Sequence, residues 1–370
     1  MIQWAWKSLF SRRGNLVSSA LGIGGAFILV IFFSAVLQGE AVQVVAYPKH
    51  IKPDIWVMQK GVANMHMAMS FVWDWKADKV ARIPGVKRVT PILYTNGIIT
   101  TGGQRIFAFI VGLLPGTQQR AGPWEMVAGR QVRSAKETVV PDVFIRLAGV
   151  KLGDEVRITD KKFKIVGFSK GTFSSANAVL FVPFNDLQDI ISAIGTYSYL
   201  LVDIKEGLDP KLMAATIRQQ VEKVNALPHQ EFIENDFSMA KQMGLEIIFM
   251  MTVICSVLAA LIIGFTAYSL VVRKRSELAV IKALGTGNGR IFFAVVFQSG
   301  LITLLGFLVA VAFAVLVIPK VPALIPQLTL IVSSDTILLL GGIALLVAVA
   351  GALIPAYLIT RLDPATVFYT

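Results

Sequence analysis

Charged residues, cysteine and histidine are all scarce in this sequence of 370 residues. Charged side chains make up 16% of the chain and hydrophobic ones 55%, with a mean hydropathy of +0.67, which is not the balance of a soluble globular protein. The single cysteine, Cys255, excludes an intrachain disulfide, and with only three histidines it leaves no zinc framework of the usual Cys/His spacing. Because long apolar runs carry the hydrophobic excess, the composition predicts a membrane protein and excludes disordered and collagen-like classes.

The motifs of common catalytic sites are missing as well. The sequence has no G-x-x-x-x-G-K-[ST], so it cannot hold nucleotide phosphates in the manner of a P-loop. It also lacks HExxH, GxSxG and paired-carboxylate motifs. We therefore predict that the chain is not an enzyme and that it has no metal site.

Four apolar runs are long enough to cross a bilayer as helices, at residues 16–38, 247–272, 292–318 and 336–359. The first follows Lys7, Arg12 and Arg13 as a signal peptide would, but its apolar stretch is too long and residues 38–40 offer no cleavage site. We interpret it as a retained anchor. The sequence thus predicts one span, a large domain at 39–246, and then three spans joined by short loops.

The net charge of +12 is concentrated in the short segments that flank the spans. Basic residues lie in the N-terminal segment 1–15, the loop 273–291 and the C-terminal tail 360–370, namely Lys7, Arg12, Arg13, Arg273, Lys274, Arg275, Lys282, Arg290 and Arg361. The positive-inside rule therefore predicts cytoplasmic termini, with the domain 39–246 and the loop 319–335 outside. Since residues 39–246 carry 25 basic and 20 acidic side chains, binding to nucleic acid has little support.

The outer block has the pattern of a mixed α/β domain. Runs rich in β-branched and aromatic residues predict strands at 54–59, 88–100, 105–111, 155–158, 163–168, 179–182 and 199–204. Helices are predicted at 75–82, 184–191 and 210–224. Residues 236–246 are expected to form a continuous helix, which would make a rigid stalk leading into the second span.

A methionine-rich stretch, Asn64 to Ser70, is followed by three aromatic residues. It contains Met65, His66 and Met67, and then come Phe71, Trp73 and Trp75. Thioethers and an imidazole could ligate Cu(I) or haem iron. Alternatively, the stretch forms an apolar surface for a partner or substrate, or simply the partly buried start of a helix. We take Met65, Met67, Phe71 and Trp73 as candidate substrate contacts.

Two carboxylates, Glu40 and Glu246, lie at the predicted outer ends of the first and second spans. Glutamates at these positions are commonly interfacial groups without a specific role. If the protein takes up an amphiphilic ligand from the outer leaflet, however, Glu246 would be a natural contact for that ligand. Both are therefore candidate substrate contacts.

The loop from Arg273 to Arg290 is the most informative stretch of the sequence. Leu278, Ile281, Ala283 and Leu284 are spaced to form one apolar helix face, and a run of glycines beginning at Gly285 ends the helix. A short helix of this kind between two spans is typical of a docking element for a soluble partner. The alternative is an interfacial helix whose cations contact lipid headgroups.

This loop resembles the "rEla-lkAlG" segment of the FtsX/MacB-like ABC transporter permease family. Further matching segments occur in family order along nearly the whole chain, at Trp6–Arg13, Gly85–Pro91, Val111–Pro115, Val139–Asp154, Lys164–Gly167 and Arg361–Ala365. Each segment is weak alone, but their order on a topology of one plus three spans is specific. Within the family, the chain resembles the DevC- and HrtB-like exporters.

The resemblance implies a protein of the bacterial inner membrane with four transmembrane α-helices and a large extracytoplasmic α/β MacB-type domain. It implies a homodimer that works with two copies of a separate cytoplasmic ABC ATPase, and a periplasmic membrane-fusion adaptor as a further partner. ATP and Mg would be held by the ATPase, so no cofactor is expected on this chain. The ATPase would dock on the loop helix through Glu277, Leu278, Ile281, Lys282, Ala283, Leu284 and Gly285.

Two functions are compatible with this family. The first is export of an amphiphile such as haem, a glycolipid, a lipopeptide or a drug, driven by mechanical transmission from the ATPase to the outer domain. The second is the role of FtsX itself, a regulator that does not transport but switches an extracytoplasmic hydrolase or signalling partner. The larger MacB-type outer domain favours export.

Small residues mark candidate contacts between spans, because helices in lipid associate where backbones can approach closely. The first span has Ser18, Gly22 and Ala26 at intervals of four residues. Because the resemblance implies that the first two spans lie at the dimer centre, we assign these three residues to contact with a second copy. The fourth has a similar series, Ala344 to Ala352, which we assign to packing within one protomer.

Overall fold

The computed structural model describes residues 6, 13–66, 68–174 and 177–360. Its helices are α1 Arg13–Val44, α2 Ala46–Ile51, α3 Asp74–Ala81, α4 Gln118–Ala121, α5 Val143–Leu147, α6 Phe184–Ile191, α7 Pro210–Gln220, α8 His229–Ala240, α9 Glu246–Arg273, α10 Arg275–Ala283, α11 Asn288–Leu316, α12 Val321–Leu324 and α13 Ser334–Thr360. Its strands are β1 Ile55–Gln59, β2 Val72–Trp73, β3 Val86–Thr101, β4 Gln104–Leu113, β5 Met126–Gly129, β6 Glu137–Pro141, β7 Glu155–Ile158, β8 Lys161–Ser169, β9 Ala178–Pro183, β10 Thr196–Tyr197, β11 Tyr199–Ile204 and β12 Val224–Pro228.

Contacts divide the chain into two units. The membrane unit comprises residues 1–38, 247–321 and 330–370, and the outer unit comprises 39–246 and 322–329. Of the described residues, four helical segments are long and apolar enough to cross a membrane, at Gly14–Val44, Glu246–Leu270, Asn288–Leu324 and Ser334–Leu353. The predicted arrangement of one span, a large α/β domain and three spans is confirmed.

Glycines allow close approach between pairs of spans in the membrane unit. A Cβ atom added to Gly24 in α1 would lie 3.1 Å from the carbonyl oxygen of Gly306 in α11, and one added to Gly306 would lie 2.7 Å from Cγ2 of Ile23. A Cβ on Gly351 in α13 would lie 2.9 Å from Cα of Gly264 in α9. These helices therefore pack backbone to backbone, as expected where lipid offers no hydrophobic force between helices.

Apolar side chains and several polar groups make further contacts in the membrane unit. The rings of Phe27 and Phe307 meet edge to face, with centroids 5.3 Å apart. Ser299 Oγ donates a hydrogen bond of 3.3 Å to the carbonyl oxygen of Ala348. Ala344, Ala348 and Ala352 of the fourth span are buried inside the protomer.

The outer unit is built on a mixed sheet in which the strands follow the order β12-β1-β11-β3-β4-β9-β6-β8-β5, and β7 pairs with β3 and β8. The pairs β4–β9 and β6–β8 are parallel, and the others are antiparallel. The long β3–β4 hairpin turns at Gly102 and Gly103. Gly102 has φ +51° and would place a Cβ 1.9 Å from the carbonyl oxygen of Ala148, so only glycine fits there.

Both faces of this sheet are covered. Ile55 and Val57 of β1 face a cluster that includes Val80 of α3 and Ile217 of α7. The alternate residue, Trp56, belongs to another cluster and stacks on Phe232 of α8, with ring centroids 4.3 Å apart. Central strands buried on both faces explain why their sequences are continuously apolar.

Two predictions about helices in the outer unit are wrong. The helix predicted at 210–224 ends at Gln220, and Val224 instead begins strand β12. The continuous stalk predicted at 236–246 is interrupted, because α8 ends at Ala240 and a π-helical turn at Lys241–Leu245 contains Gly244 with non-helical backbone angles. Glycine is a poor helix former, and interruptions of long helices commonly occur at glycine and at π-helical turns.

Candidate functional site

The loop helix α10 is defined at both ends by its sequence. Glu277 lies in the first turn, where a carboxylate interacts favourably with the helix dipole. At the other end, Gly285 has φ +86°. The N–H of Gly285 donates a hydrogen bond to the carbonyl oxygen of Lys282, and the N–H of Thr286 donates one to the carbonyl oxygen of Ile281. This is a Schellman motif, which requires a residue that adopts the left-handed conformation readily.

The two faces of α10 have different partners. Leu278 and Ala279 are buried, with 1% and 3% of their surface exposed, where α10 packs against α11 and α13. Val280 is 42% and Leu284 80% exposed, and these two side chains lie one turn apart on the opposite face. The helix is thus anchored by one apolar face and leaves a second one open.

The structure corrects the predicted docking residues. Leu278 is removed from the docking face because it is buried within the membrane unit. Val280, which was not among the predicted docking residues, is exposed in its place. Among the other predicted residues, Glu277, Ala283, Leu284 and Gly285 are exposed, while Ile281 and Lys282 are half-buried. We define the exposed docking face as Glu277, Val280, Ala283 and Leu284.

The aromatic residues after the methionine-rich stretch are exposed on the outer unit. Phe71 is 41%, Trp73 55% and Trp75 47% exposed. Val72, between the first two, is buried in the same cluster as Ile55 and Val80, and β2 pairs with β10 through Val72–Tyr197 and Trp73–Thr196. Lys79 Nζ lies 4.8 Å from the centroid of the Trp75 ring. We call Phe71, Trp73 and Trp75 the outer aromatic surface.

The methionine-rich stretch itself points inward. Met65 is 1% exposed in the domain core, which removes it from the candidate substrate contacts. His66 Nδ1 lies 2.9 Å from Asp236 Oδ1, and its Nε2 lies 3.2 Å from Asn177 Nδ2. Because both ring nitrogens face protein groups, the arrangement gives no support to metal or haem ligation by His66. Met67 lies outside the described residues.

The two outer carboxylates differ in environment. Glu40 is 2% exposed, and its carboxylate accepts a hydrogen bond of 3.1 Å from the N–H of Thr329. It therefore stabilises the outer unit from within, and its burial removes it from a substrate-facing surface. Glu246 is exposed in the first turn of α9 and remains a candidate substrate contact.

The small residues predicted for dimer contact are split between the interior and the surface. Ala26 is buried at 6% exposure in a cluster with Val30 and Ala259 of α9, so it contributes to packing inside the protomer. Ser18 and Gly22 are exposed. A contact with a second copy through them stays a prediction. The terminal family segments lie outside the described residues, apart from Trp6 and Arg13.

Family models match both units of the chain. Residues 17–220 match the MacB-like periplasmic core domain, and residues 249–364 match the FtsX-like permease C-terminal domain. The first of these alone covers more than half of the 370 residues.

Curated relatives give the same result. An uncharacterized ABC transporter permease of Mycobacterium bovis is 21% identical over 99% of this chain and 97% of its own length. A protein of Staphylococcus epidermidis named putative hemin transport system permease protein HrtB is 19% identical over 97% of both chains. An uncharacterized ABC transporter permease of Methanocaldococcus jannaschii is 26% identical, but the match spans only 45% of that protein and 47% of this one.

The spans, the outer α/β domain and the order of the matched segments all agree with these comparisons, and the chain belongs to the FtsX/MacB family of ABC transporter permeases.

Proposed function

We propose that this chain is the membrane subunit of a bacterial ABC exporter that transmits force from a separate ATPase to its outer domain. The observation that carries the proposal is the exposed docking face of α10. Val280 and Leu284 present apolar surface one turn apart, and Glu277 adds a charge beside them. An amphipathic helix laid into a groove through such spaced anchors is a common mode of recognition.

The buried face of α10 supports mechanical transmission. Leu278 and Ala279 fix the helix against α11 and α13, so a displacement of its exposed face is passed to two spans. A docking helix on a flexible loop would not transmit force in this way. In this account ATP and Mg are bound by two copies of the ATPase, and no cofactor is held by this chain.

The proposed orientation places α10 in the cytoplasm. Arg273, Lys274 and Arg275 precede the exposed docking face, and cytoplasmic loops are enriched in such residues. Both termini are then cytoplasmic, and the protein lies in the bacterial inner membrane with its MacB-type domain in the periplasm or outside the cell. A membrane-fusion adaptor is the partner we propose for that domain.

We propose an amphiphile as the cargo. The outer aromatic surface offers exposed rings that suit an apolar ligand, and the exposed carboxylate of Glu246 offers a charge near the predicted outer interface. The Staphylococcus epidermidis relative is named for hemin transport, which makes haem one candidate beside glycolipid, lipopeptide and drug.

The second candidate function is regulation of an extracytoplasmic hydrolase or signalling partner. The same outer aromatic surface favours it, because exposed tryptophans are also typical of protein interfaces. In that case ATP hydrolysis would move the outer domain without moving a substrate.

Export from vesicles tests the proposal and separates the two functions. The chain and its cognate ATPase are reconstituted with a fluorescent lipid or haem, and ATP-dependent efflux is followed. We expect efflux with the wild type, reduced efflux with Trp73→Ala or Glu246→Gln, and unchanged basal ATPase activity in both variants. Ile194→Ala, at an outer residue that is 80% exposed, is the control. ATP hydrolysis without efflux of any tested amphiphile would favour the regulator.

A further inference from the structure

A cavity with a mixed polar and apolar lining lies between α1 and α9, at the end of the membrane unit where α9 meets the docking helix. Its volume is about 240 Å³, below the usual 300–1,000 Å³ of pockets for drug-sized ligands. The wall from α9 contains Thr266, Ser269, Arg273 and Lys274, while α1 contributes serines at 18 and 19. A space of this size and lining suits a small anionic group.

The hydroxyls of this wall are available for a ligand. Earlier in the same helix, Thr252 and Ser256 donate their hydroxyl hydrogens to the carbonyl oxygens four residues back, at 2.9 and 2.8 Å. Within the described part of the chain, the hydroxyls of Thr266 and Ser269 make no such bond. Behind Thr266, a narrower space reaches Thr303, which is 1% exposed and whose hydroxyl also lacks a partner among the described residues.

The charge at the mouth of the cavity is positive. No described carboxylate forms an ion pair with Arg273, whose side chain is exposed. Guanidinium groups bind phosphate oxygens in a bidentate manner. The cavity therefore combines a strong anion-binding group with unpaired hydroxyl donors.

The apolar part of the cavity points to a lipid and not to a soluble anion. Leu16, Phe265, Leu270 and Ile302 also line it, and Phe265 is 72% exposed on the surface of the span. A phospholipid would place its phosphate by Arg273 and Ser269 and its acyl chains along Phe265. Free phosphate has no apolar part that could contact these side chains.

We propose that this cavity binds the headgroup of an anionic phospholipid, in the leaflet that faces the docking helix. Basic pockets between spans are known sites for such headgroups. Lys274 is the N-cap residue of α10, and its carbonyl accepts the N–H of Leu278 at 2.9 Å. The bound lipid therefore holds the start of the docking helix in place.

A second copy of the chain is a poorer occupant. In a two-fold contact the same surface is used by both copies, so Arg273 and Lys274 of each would approach those of the other. That repulsion disfavours a symmetric contact through the α9 wall. Ser18 and Gly22 of α1 also line the cavity, so a second copy that meets them has to approach from the α1 side and leave the α9 wall to the lipid.

Native mass spectrometry of the full chain in neutral detergent tests the site without the ATPase, so its outcome is independent of the proposed export function. Phosphatidylglycerol and phosphatidylcholine are titrated separately. We expect the wild type to retain phosphatidylglycerol preferentially. Arg273→Gln and Lys274→Gln should each lower the affinity for phosphatidylglycerol about fivefold, because each cation contributes ~1 kcal/mol near a lipid surface. Ser269→Leu, which fills the cavity without changing charge, should abolish the preference.

Arg290→Gln is the matched control, because Arg290 is an exposed cation at the other end of the same loop and does not line the cavity. It should retain phosphatidylglycerol like the wild type. Equal losses in Arg290→Gln and Arg273→Gln would show only general attraction to basic residues and would overturn the proposal. Equal binding of both lipids, full competition by glycerol phosphate, or disulfide crosslinking between two copies carrying Ser269→Cys would overturn it too.

Discussion

His66 and Asp236 form a buried pair that joins the methionine-rich stretch to helix α8. Asp236 Oδ1 lies 2.9 Å from His66 Nδ1 and accepts the backbone N–H groups of Met65 and His66 at 2.7 and 3.1 Å. Asp236 is fully buried. The pKa of the Tyr199 hydroxyl lies above its usual value, mainly because the side chain is buried and secondly because the charge of Asp236 is near. The carboxylate of Asp236 thus holds the methionine-rich stretch in place, because without it the N–H groups of Met65 and His66 would be buried without an acceptor.

Replacing Asp236 with alanine should strongly destabilise the outer unit. Two buried N–H groups would lose their acceptor and the buried His66 ring would lose the carboxylate 2.9 Å from its Nδ1, which we expect to cost about 3 to 5 kcal/mol. Asp189→Ala is the control, because the Asp189 side chain is 68% exposed and, among the described residues, forms an ion pair only with Lys161, at 3.6 Å. Thermal unfolding followed by the fluorescence of tryptophans such as Trp56 measures both variants. Equal midpoints would contradict the structural role of Asp236.

Glu137 should make stability depend on pH in the acid range. The side-chain hydrogen bonds from Arg130, at 2.5 and 2.7 Å, lower the pKa of Glu137 to about 2, from an ordinary value of 4.5. Because the pKa is lower in the folded protein, this stabilisation is fully present above pH 4.5 and is lost as the pH falls towards 2.

The measurement for Glu137 is a comparison of unfolding midpoints across pH. Glu137→Gln should have a lower midpoint than the wild type at pH 7, and the difference should shrink progressively below pH 4.5. Glu155→Gln removes a carboxylate paired with Lys162 where both side chains are exposed, and it should change little. A constant difference for Glu137→Gln at every pH would refute the assignment.

The crossing of α1 and α11 should not tolerate a side chain at Gly306. A Cβ there would lie 2.7 to 2.9 Å from atoms of Ile23 and the carbonyl of Ala20, so Gly306→Ala should cost about 1 to 3 kcal/mol. Gly300→Ala, in the same helix, gains the same helix propensity and meets no atom within 4 Å in the protomer. Thermal midpoints in detergent should fall only for Gly306→Ala, and a comparable fall for Gly300→Ala would contradict the packing.

A second copy should meet the protomer through α1. In a Cys255→Ser background, Ser18→Cys is expected to form a disulfide between copies, and a further Gly22→Leu should reduce it by separating the helices, at a cost of about 1 to 2 kcal/mol. Ser256→Cys, at an exposed residue of α9, provides a comparison. If Ser18→Cys never crosslinks, the symmetric contact lies elsewhere.

The sequence predicted the regular parts of this protein because their signals are local. The spans follow from runs of apolar residues, and strands β7 and β11 and helix α6 begin and end at the predicted residues. Long apolar segments and alternating β-branched residues leave few alternative structures.

The sequence could not predict features that depend on distant partners. Leu278 and Leu284 are equally apolar, but only the packing of α10 on α11 and α13 decides that the first is buried and the second exposed. Met65 and Trp73 lie close together in the sequence, yet only Met65 is buried in the core that distant strands form, and Trp73 is exposed. The helix is interrupted at Gly244, although the sequence pattern alone predicts that it continues into the second span.

Co-purification of the cognate ATPase with the chain tests the central claim, that α10 is the docking site, most directly. Leu284→Asp should abolish recovery of the ATPase from detergent extracts while membrane insertion is unchanged, because the side chain is 80% exposed on the docking face. Ile194→Asp places the same charge at an equally exposed residue of the outer unit and should leave recovery at the wild-type level. Undiminished recovery with Leu284→Asp would contradict the account.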